Sequence, residues 1–340
     1  MTRISRNTFL AGLTAGVLVV TLGLPGVATA VPQARTGSAC TLRPLPLPAD
    51  LNGQARAVDP TGRFIAGPGY RVDGEDRQPL LLLWATRPGV WNQPRLTVVE
   101  FQTEPQVDSI NRYGVAIGTA YVGDVHRPWR YTQGRLEWLP VPPVVANVSV
   151  HSINARGDIV GSGAVEETET ALPLLWPADR PGTVEVIDIP PHYGAVEIFD
   201  DGTIVGGTGV SGWVRHPDGT TDRFTVPGAR WVYVYGARGN WAVGRFGIGS
   251  EDEDSTPVRW DLRTGVATAL HPALGFPQAV NSQGVVLGTR VVDHGDRLVT
   301  LPGAIPDVQI VISGGIADDG LVVGYVNGGT RLLPARWTDC

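Results

Sequence analysis

The chain has 340 residues, of which 27 are basic and 33 are acidic, and its formal net charge is −6 at neutral pH. A negative balance disfavours nucleic acid and anionic membrane surfaces as partners. The 44 glycines and 28 prolines, without any long stretch of 3.6-residue apolar periodicity, favour many short strands joined by tight turns over helices.

The first thirty residues have the features of a secretory signal peptide. Arg3 and Arg6 form a basic start, an apolar run follows over 9–24, and the stretch before Val31 ends in small residues, the last being Ala30. We therefore predict cleavage between Ala30 and Val31, which leaves a short lead over 31–39. No later segment is long and apolar enough to replace the signal as an anchor, so the sequence predicts a secreted, extracellular protein.

Two other export routes fit the sequence less well. Twin-arginine export is disfavoured because Arg3 and Arg6 are separated, and lipid attachment at Cys40 is disfavoured because Gly37 stands where an aliphatic residue is expected. Signal removal takes away two arginines and no acidic residue, so the net charge changes from −6 to −8.

One phrase then recurs along the rest of the chain. Its clearest copy is SINARGDIVG at 152–161, and each copy contains a turn glycine. Neighbouring turn glycines are separated by 36 residues (Gly284 to Gly320) to 52 residues (Gly62 to Gly114). The seven copies occupy 57–67, 109–118, 152–161, 198–206, 234–244, 279–288 and 315–324. Every copy except the sixth is followed by a second phrase, which ends in Trp84, Trp129, Trp176, Trp213, Trp260 or Trp337.

Each repeat predicts a four-stranded antiparallel blade. In the turn from Asn154 to Gly157 the Asn side chain can bond the backbone ahead, and the Gly can adopt a left-handed conformation, so the phrase is a hairpin. The tryptophan strand and a fourth strand, such as 266–270, complete the unit. Repeats of this length predict an all-β, seven-bladed β-propeller over 40–340, with the recurring Ile, Val and Trp side chains as the core between blades.

The sixth repeat departs from this pattern. It lacks the tryptophan phrase, and only thirteen residues separate Gly288 from Pro302. We therefore expect about three strands in that blade.

The I-N-x-x-G-x-I-V-G phrase followed by P-x-x-W resembles the HAF-type extracellular repeat family over 55–337. The resemblance implies a secreted bacterial propeller and brings no settled activity with it.

The two ends of the chain are expected to meet in the last blade. The seventh repeat ends after its third strand, whereas the segment CTLRPLPLP at 40–48 has no earlier strand to pair with. We predict that this N-terminal strand completes blade seven and closes the ring. Cys40 and Cys340, the only two cysteines, would then be adjacent, and export favours a disulfide between them.

The sequence contains no recognisable catalytic motif. We assign no catalytic residue, no metal ligand and no cofactor, since no nucleophile elbow, phosphate loop or calcium loop is present. His151, His192 and His271 fall in or near segments that link blades and could approach a common face, although ordinary loop positions explain them more simply.

Acidic residues cluster in the loops between second and third strands, which a propeller places on one face. Such a rim could bind a cationic partner or weakly held calcium, although solvated loops that keep the protein soluble explain it more simply. The residues concerned are Asp73, Glu75, Asp76, Asp124, Glu166, Glu167, Glu169, Glu251, Asp252, Glu253 and Asp254.

The function best supported by the sequence is a secreted, monomeric, non-enzymatic binding module that presents loops on a rigid propeller to an extracellular protein or carbohydrate. This rests on analogy with other propellers. The alternative is an extracellular hydrolase or lyase acting on polysaccharide or another polymer at the mouth of the central channel. Three or more ionisable side chains facing that mouth would favour the enzyme, and an apolar or glycine-lined mouth would favour binding.

Overall fold

The computed structural model describes residues 40–73, 76–87, 90–143, 145–165, 168, 171–189, 194–249, 255–303, 310–311, 314–327 and 331–340. The predicted signal peptide, its cleavage site between Ala30 and Val31 and the lead over 31–39 lie outside these residues. Within the described part of the chain, no helix has the length and apolar character needed to cross a membrane.

The chain forms seven antiparallel sheets arranged as the blades of a β-propeller, which confirms the predicted fold. Blade one consists of β2 (Leu51–Gly53), β3 (Ala57–Val58), β4 (Phe64–Asp73), β5 (Asp76–Arg87) and β6 (Val90–Glu100), and blade two of β7 (Pro105–Ile110), β8 (Ala116–Val122), β9 (Val125–Thr132) and β10 (Arg135–Trp138). Blade three consists of β11 (Val145–Ile153), β12 (Ile159–Val165), β13 (Ala171–Trp176) and β14 (Glu185–Val186), blade four of β15 (Ala195–Ile198), β16 (Ile204–Gly207), β17 (Gly212–Arg215) and β18 (Thr221–Phe224), and blade five of β19 (Trp231–Arg238), β20 (Trp241–Gly247), β21 (Thr256–Asp261) and β22 (Val266–Ala269). Blade six consists of β23 (Ala279–Val280), β24 (Val286–Leu287), β25 (Val291–Asp293) and β26 (Leu298–Thr300), and blade seven of β27 (Ile310–Val311), β28 (Val322–Asn327), β29 (Leu332–Thr338) and the N-terminal strand β1 (Thr41–Pro44). One turn of 3₁₀ helix, Pro272–Leu274, precedes blade six.

The apolar core lies between the blades. The seven clusters of buried apolar side chains each combine residues from two adjacent blades, as where Leu287 of blade six packs with Trp337 of blade seven. The predicted inter-blade role of the recurring apolar residues is therefore confirmed. Burying these faces against a neighbour removes them from water, so a single blade could not hold its own core.

Four of the six recurring tryptophans also make a polar contact with the preceding blade, because their indole N–H groups donate to backbone oxygens just beyond its outer strand. The pairs are Trp84 with Pro46 at 2.9 Å, Trp176 with Pro140 at 2.8 Å, Trp260 with Thr225 at 3.2 Å and Trp337 with Pro302 at 3.0 Å. The indole N–H groups of Trp129 and Trp213 have no partner among the described residues. Each of the four bonded tryptophans therefore fixes the spacing of two blades through both its apolar body and its polar edge.

The turn asparagines link blades as well as shaping their own turns. Asn111 Oδ1 accepts from the backbone N–H groups of Tyr113 and Val115 at 3.0 and 3.1 Å, as the sequence predicts for such a turn. Its Nδ2 donates to the backbone oxygen of Asn154 in the next blade at 2.9 Å. The same inter-blade bond joins Asn154 to Phe199 at 3.1 Å and Asn281 to Ala317 at 3.3 Å.

The N-terminal strand closes the ring as predicted. Strand β1 pairs with β29 in blade seven, with Thr41 opposite Thr338, and a disulfide joins Cys40 to Cys340, whose Cα atoms are 4.4 Å apart. The last blade therefore takes its outer strand from the start of the domain.

Two blades differ from the repeat pattern. The expectation of about three strands in blade six is wrong, because four form, each of only two or three residues, and a tight turn at His294 joins the last two. Two of these short strands, β25 and β26, fit between Gly288 and Pro302. In blade one the inner strand is divided into β2 and β3, both of which pair with β4.

Candidate functional site

The inner strands of the blades surround a central channel. It has a volume of about 880 Å³ and is lined by residues from every blade. This lies within the range of roughly 300–1,000 Å³ that is usual for small-molecule sites. The channel has a turn mouth, formed by the hairpins between first and second strands, and a loop mouth at the opposite ends of the inner strands.

A bulge in four of the inner strands directs one residue of each into this channel. The ladders of β7, β11, β15 and β19 skip Asp108, His151, Val196 and Tyr235 respectively, and β11 has a second irregularity between Ala146 and Ser149. Blades one, six and seven have Arg56, Gln278 and Gly314 at the equivalent position. In every blade the residue that follows this position pairs with the residue just before the last glycine of the repeat. All seven line the channel, and we call them the bulge ring.

The last glycine of the repeated phrase makes the bulge possible. A Cβ atom on Gly244 would lie 1.8 Å from the backbone oxygen of Tyr233 on the bulged strand. Any side chain here would push the two strands apart, so glycine is required by close approach. The same collision with a facing backbone oxygen, at 1.8 to 2.6 Å, applies to Gly67, Gly118, Gly161, Gly206 and Gly288.

The bulge ring is chemically different in every blade. Around the channel it reads Arg56, Asp108, His151, Val196, Tyr235, Gln278, Gly314. The residue before it is a buried Ala or Val in blades one to five and belongs to the inter-blade core; these residues are Ala55, Val107, Val150, Ala195 and Val234. The wall of the channel therefore changes chemically from blade to blade at the ring position, whereas the core beside it stays apolar.

Asp108 has an unusual environment in this ring. Its Oδ2 atom is buried and has no hydrogen-bond partner among the described residues, while the residue as a whole keeps partial exposure to the channel. Enclosure by protein raises the pKa of Asp108 to about 7, and the neighbouring charge of Arg56 opposes that shift. Its carboxyl group is therefore able to exist in both protonation states near neutral pH.

Glu197 is adjacent to the ring in blade four. Burial raises the pKa of Glu197 to about 7, although a hydrogen bond from Ser152 Oγ and the charge of Arg238 act in the other direction. His151 lies in blade three, where its Nε2 is 2.9 Å from Ser162 Oγ. Burial lowers the pKa of His151 to about 4, so the imidazole is neutral at neutral pH.

Ion pairs cross the turn mouth. Arg112 of blade two contacts Asp200 of blade four, and Arg238 of blade five lies 3.7 Å from Asp318 of blade seven. Each pair passes over one intervening blade. The charges at this end of the channel therefore largely neutralise one another.

An aromatic strip runs out of the channel at the loop mouth. It consists of Trp231, Tyr233, Tyr235 and Phe276, whose ring centroids are separated in turn by 5.4, 6.5 and 5.2 Å. Tyr233 and Tyr235 line the channel itself, and their rings are nearly parallel at 17°. Tyr233 is 42% exposed and Phe276 is 47% exposed, so the strip presents aromatic surface to solvent.

The local sequence explains how the strip is held. The stretch WVYVY at 231–235 alternates aromatic with apolar residues, and Val232 and Val234 face the core while the rings face outward. The indole of Trp231 lies over Gly247, where a Cβ atom would be 2.4 Å from the ring. Arg245 lies 4.5 Å from the centroid of Phe276 on the far side.

The structure places few of the predicted rim residues. Asp76 and Asp124 are exposed beside the β4–β5 and β8–β9 turns, which the strand order puts on the face of the loop mouth. For Asp73 only the backbone position, opposite Asp76, is described. The remaining rim residues, Glu75, Glu166, Glu167, Glu169, Glu251, Asp252, Glu253 and Asp254, lie outside the described residues. In the described ranges no group of three or more His, Cys, Asp or Glu is arranged to hold a metal ion.

Of the three histidines considered in the sequence, His151 and His271 have different roles. His151 lines the channel, whereas His271 caps the 3₁₀ helix by accepting from Ala273 N at 3.1 Å. His192 lies outside the described residues.

Sequence reasoning missed most of the channel. Arg56, Asp108, Tyr235 and Gln278 were not singled out, and neither was Glu197. A usable signal was present: a column that differs in every blade lies directly before the repeated phrase in five of its seven copies.

Comparisons with known proteins agree with the fold. A solved structure named as a streptogramin B lyase superposes with a TM-score of 0.53 at 13% sequence identity, covering 88% of this chain and 97% of that one. The β-propeller domain of the Trilobed protease from Pyrococcus furiosus gives a TM-score of 0.57 at 10% identity, covering 87% and 95% respectively. That domain is described as having an open velcro topology, whereas β1 closes the ring here.

The class of protein is therefore a β-propeller, and identities this low show the fold alone. No family model and no curated protein matches the chain.

Proposed function

We propose that this protein is a secreted binding module that holds an extracellular ligand in its central channel, against the bulge ring and the aromatic strip. One observation carries the proposal: the bulge ring places a chemically different residue from each of the seven blades on the wall of the channel. The ring offers a ligand six different side chains and one glycine at a single level of the channel.

An enzyme acting on an extracellular polymer is the second candidate. Arg56, Asp108, His151 and Glu197 all line the channel, so the number of ionisable groups meets the criterion that favours catalysis. Asp108 is the best-placed acid or base, because its pKa of about 7 suits proton transfer at neutral pH and its Oδ2 has no partner among the described residues. A lyase is among the structurally similar proteins, but at 13% identity this adds little weight.

Binding remains the leading proposal because most of these groups are already engaged. Glu197 accepts from Ser152 and lies near Arg238, and His151 pairs with Ser162. Only Asp108 combines a raised pKa with a carboxyl oxygen that no described residue satisfies. A single such group is less than the acid, base and stabilising donors that a hydrolytic or eliminating site needs.

A screen that reads binding and turnover together separates the two candidates. The mature protein is incubated with a panel of extracellular polysaccharides, oligosaccharides and small aromatic compounds, while the melting temperature and the reaction products are both measured. The binding proposal expects a compound that raises the melting temperature and is recovered unchanged. If the protein is an enzyme, products appear with the wild type and disappear in Asp108→Asn, while the thermal shift persists. A panel without any thermal shift contradicts both.

Three further elements of this proposal rest on the sequence. Export is supported by the segment over 1–30, and an N-terminus at Val31 in protein from the culture medium would verify it. Membership of the HAF-type repeat group is supported by the repeat phrase. Weak calcium binding at the acidic rim is supported by Asp76 and Asp124 sharing a face, and a calorimetric titration without heat would remove it.

A further inference from the structure

We infer that the ligand of the channel is a neutral carbohydrate chain, which stacks on the aromatic strip and reaches the bulge ring with its hydroxyl groups. This inference rests on the proposed binding function and gives it a chemical class. It follows from three properties of the site: exposed aromatic faces, balanced charge and mixed hydrogen-bonding groups.

The aromatic strip provides the apolar part of the recognition. Tyr233 and Phe276 expose 42% and 47% of their surface, although large apolar surfaces are normally withdrawn from water. Pyranose rings carry a face of C–H groups that packs against the negative face of an aromatic ring. The strip continues from Tyr235 inside the channel to Trp231 on the surrounding face, so it can contact several consecutive sugar units.

The electrostatic balance of the channel argues against an ionic ligand. The three arginines that line it, Arg56, Arg112 and Arg238, are matched by three aspartates, Asp200, Asp201 and Asp318. The two other carboxyl groups, those of Asp108 and Glu197, have pKa values of about 7 and are therefore only partly charged. The channel presents no strong field of one sign to select an anion or a cation.

The bulge ring supplies both donors and acceptors within one level of the channel. Arg56 only donates, Gln278 has both an amide N–H₂ and an oxygen, and Tyr235 has a hydroxyl that can do either. Sugar hydroxyl groups donate and accept at once, so they match a wall of this mixed kind. An apolar aromatic compound would offer no hydrogen bond to Asp108 Oδ2 or Gln278 Oε1, which have no partner among the described residues, and this costs affinity.

The test is a calorimetric titration of the mature protein with three neutral hexasaccharides, one built from glucose, one from xylose and one from N-acetylglucosamine. We expect at least one to bind, with affinity falling about tenfold or more in Tyr233→Ala and in Phe276→Ala because each loses a stacking ring. Tyr233→Phe keeps the ring and should bind within about threefold of wild type. Tyr121→Ala is the matched control, because Tyr121 is also exposed and lies beside the β8–β9 turn on the same face.

The outcomes distinguish this inference from the proposed function. Loss of binding in Tyr233→Ala but not in Tyr121→Ala supports it, and equal loss in both overturns it. Suppose that an uncharged aromatic compound from the screen binds and that none of the hexasaccharides competes with it. The carbohydrate inference then fails, while the proposal of channel binding stands. If neither kind of compound binds, the proposed function fails with it. Folding of each variant is verified by its melting temperature, and rescue by Tyr233→Phe excludes a purely structural loss.

Discussion

The side-chain amide of Asn111 lies 2.9 Å from the backbone oxygen of Asn154, so blade two donates a hydrogen bond directly to blade three. The same amide holds its own turn through Oδ1. One residue type therefore specifies both a local turn and the distance to the next blade. This double use accounts for the recurrence of Asn in the repeat better than turn formation alone.

Asn111→Asp separates these two uses. The substitution keeps the acceptor for Tyr113 and Val115 but replaces the donor to Asn154 by a carboxylate oxygen. The backbone oxygen of Asn154 then accepts only from Gly157 N and faces a negatively charged oxygen. We expect the free energy of unfolding to decrease by about 1–3 kcal/mol, measured by denaturant titration. Asn240→Asp, at an exposed asparagine in a hairpin turn, is the control and should change stability by less than about 0.5 kcal/mol. Equal effects of the two substitutions would refute the inter-blade role.

The disulfide is expected to stabilise the closure of the ring. Strand β1 contributes only four residues to blade seven, and the Cys40–Cys340 bond closes a loop with a sequence separation of 300. The chain-entropy estimate for a loop of that length is about 5–6 kcal/mol, which is an upper bound. The double variant Cys40→Ser with Cys340→Ser should therefore unfold at a clearly lower denaturant concentration and be cut early near Thr41 by protease. An unchanged midpoint would show that strand pairing alone closes the ring.

The bulge of blade five predicts a strict requirement at Gly244. In Gly244→Ala the new Cβ would collide with the backbone oxygen of Tyr233, so we expect destabilisation of about 3 kcal/mol, at the upper end of the range for overpacking. Gly236→Ala, on the facing strand, is the control, because its Cβ would meet nothing closer than 3.6 Å. Thermal or denaturant unfolding measures the stability of both variants. Gly244→Ala forces the bulge open, whereas Gly236→Ala adds a methyl group that the structure tolerates. Similar stability of both variants would contradict the bulge geometry.

Glu197 predicts a pH dependence of defined sign. Burial raises the pKa of Glu197 from 4.5 in the unfolded chain to about 7 in the folded protein, so the folded state holds the proton more tightly. The contribution of this group to stability is therefore complete below about pH 4.5, decreases as the pH rises to about 7 and is constant above that value. The total change is up to about 3 kcal/mol.

Glu197→Gln removes this dependence without changing the size of the side chain. Relative to wild type, the variant should gain up to about 3 kcal/mol of unfolding free energy between pH 4.5 and pH 8. Glu137→Gln is the control with the opposite sign, because a hydrogen bond from Arg130 lowers the pKa of Glu137. A difference between wild type and Glu197→Gln that stays constant with pH would show that Glu197 is ionised normally.

The fold could be predicted because the repeat encodes it redundantly. Turn residues such as Asn154 and Gly157, the tryptophans and the unpaired ends at Cys40 and Cys340 all indicated the same closed ring of blades. Blade six was predicted less well, because strands of two or three residues leave no periodicity to detect. Where the other blades have the tryptophan phrase, blade six has a short hairpin, whose turn is closed by a hydrogen bond from His294 N to the backbone oxygen of Arg297.

The candidate site was largely missed for the converse reason. Searching for what repeats discards what varies, and Asp108, Tyr235 and Gln278 lie in the varying column. The alternation of rings at 231–235 could have indicated an aromatic face, since strand residues two apart point the same way. The sequence could not have indicated that Phe276 joins this aromatic strip, because tertiary packing brings the linker before blade six close to Tyr235. The raised pKa of Glu197 likewise depends on enclosure that only the assembled ring supplies.

The most direct measurement of ligand binding inside the channel is protection of a single engineered thiol. Both native cysteines are joined in the disulfide, so Val196→Cys introduces one reactive group in the bulge ring, and Val98→Cys places the control on the outer strand β6. The rate of alkylation is measured with and without a saturating compound from the screen. Channel binding predicts slower alkylation of Val196→Cys and an unchanged rate for Val98→Cys. Equal rates for Val196→Cys in the presence and absence of the bound compound would contradict it.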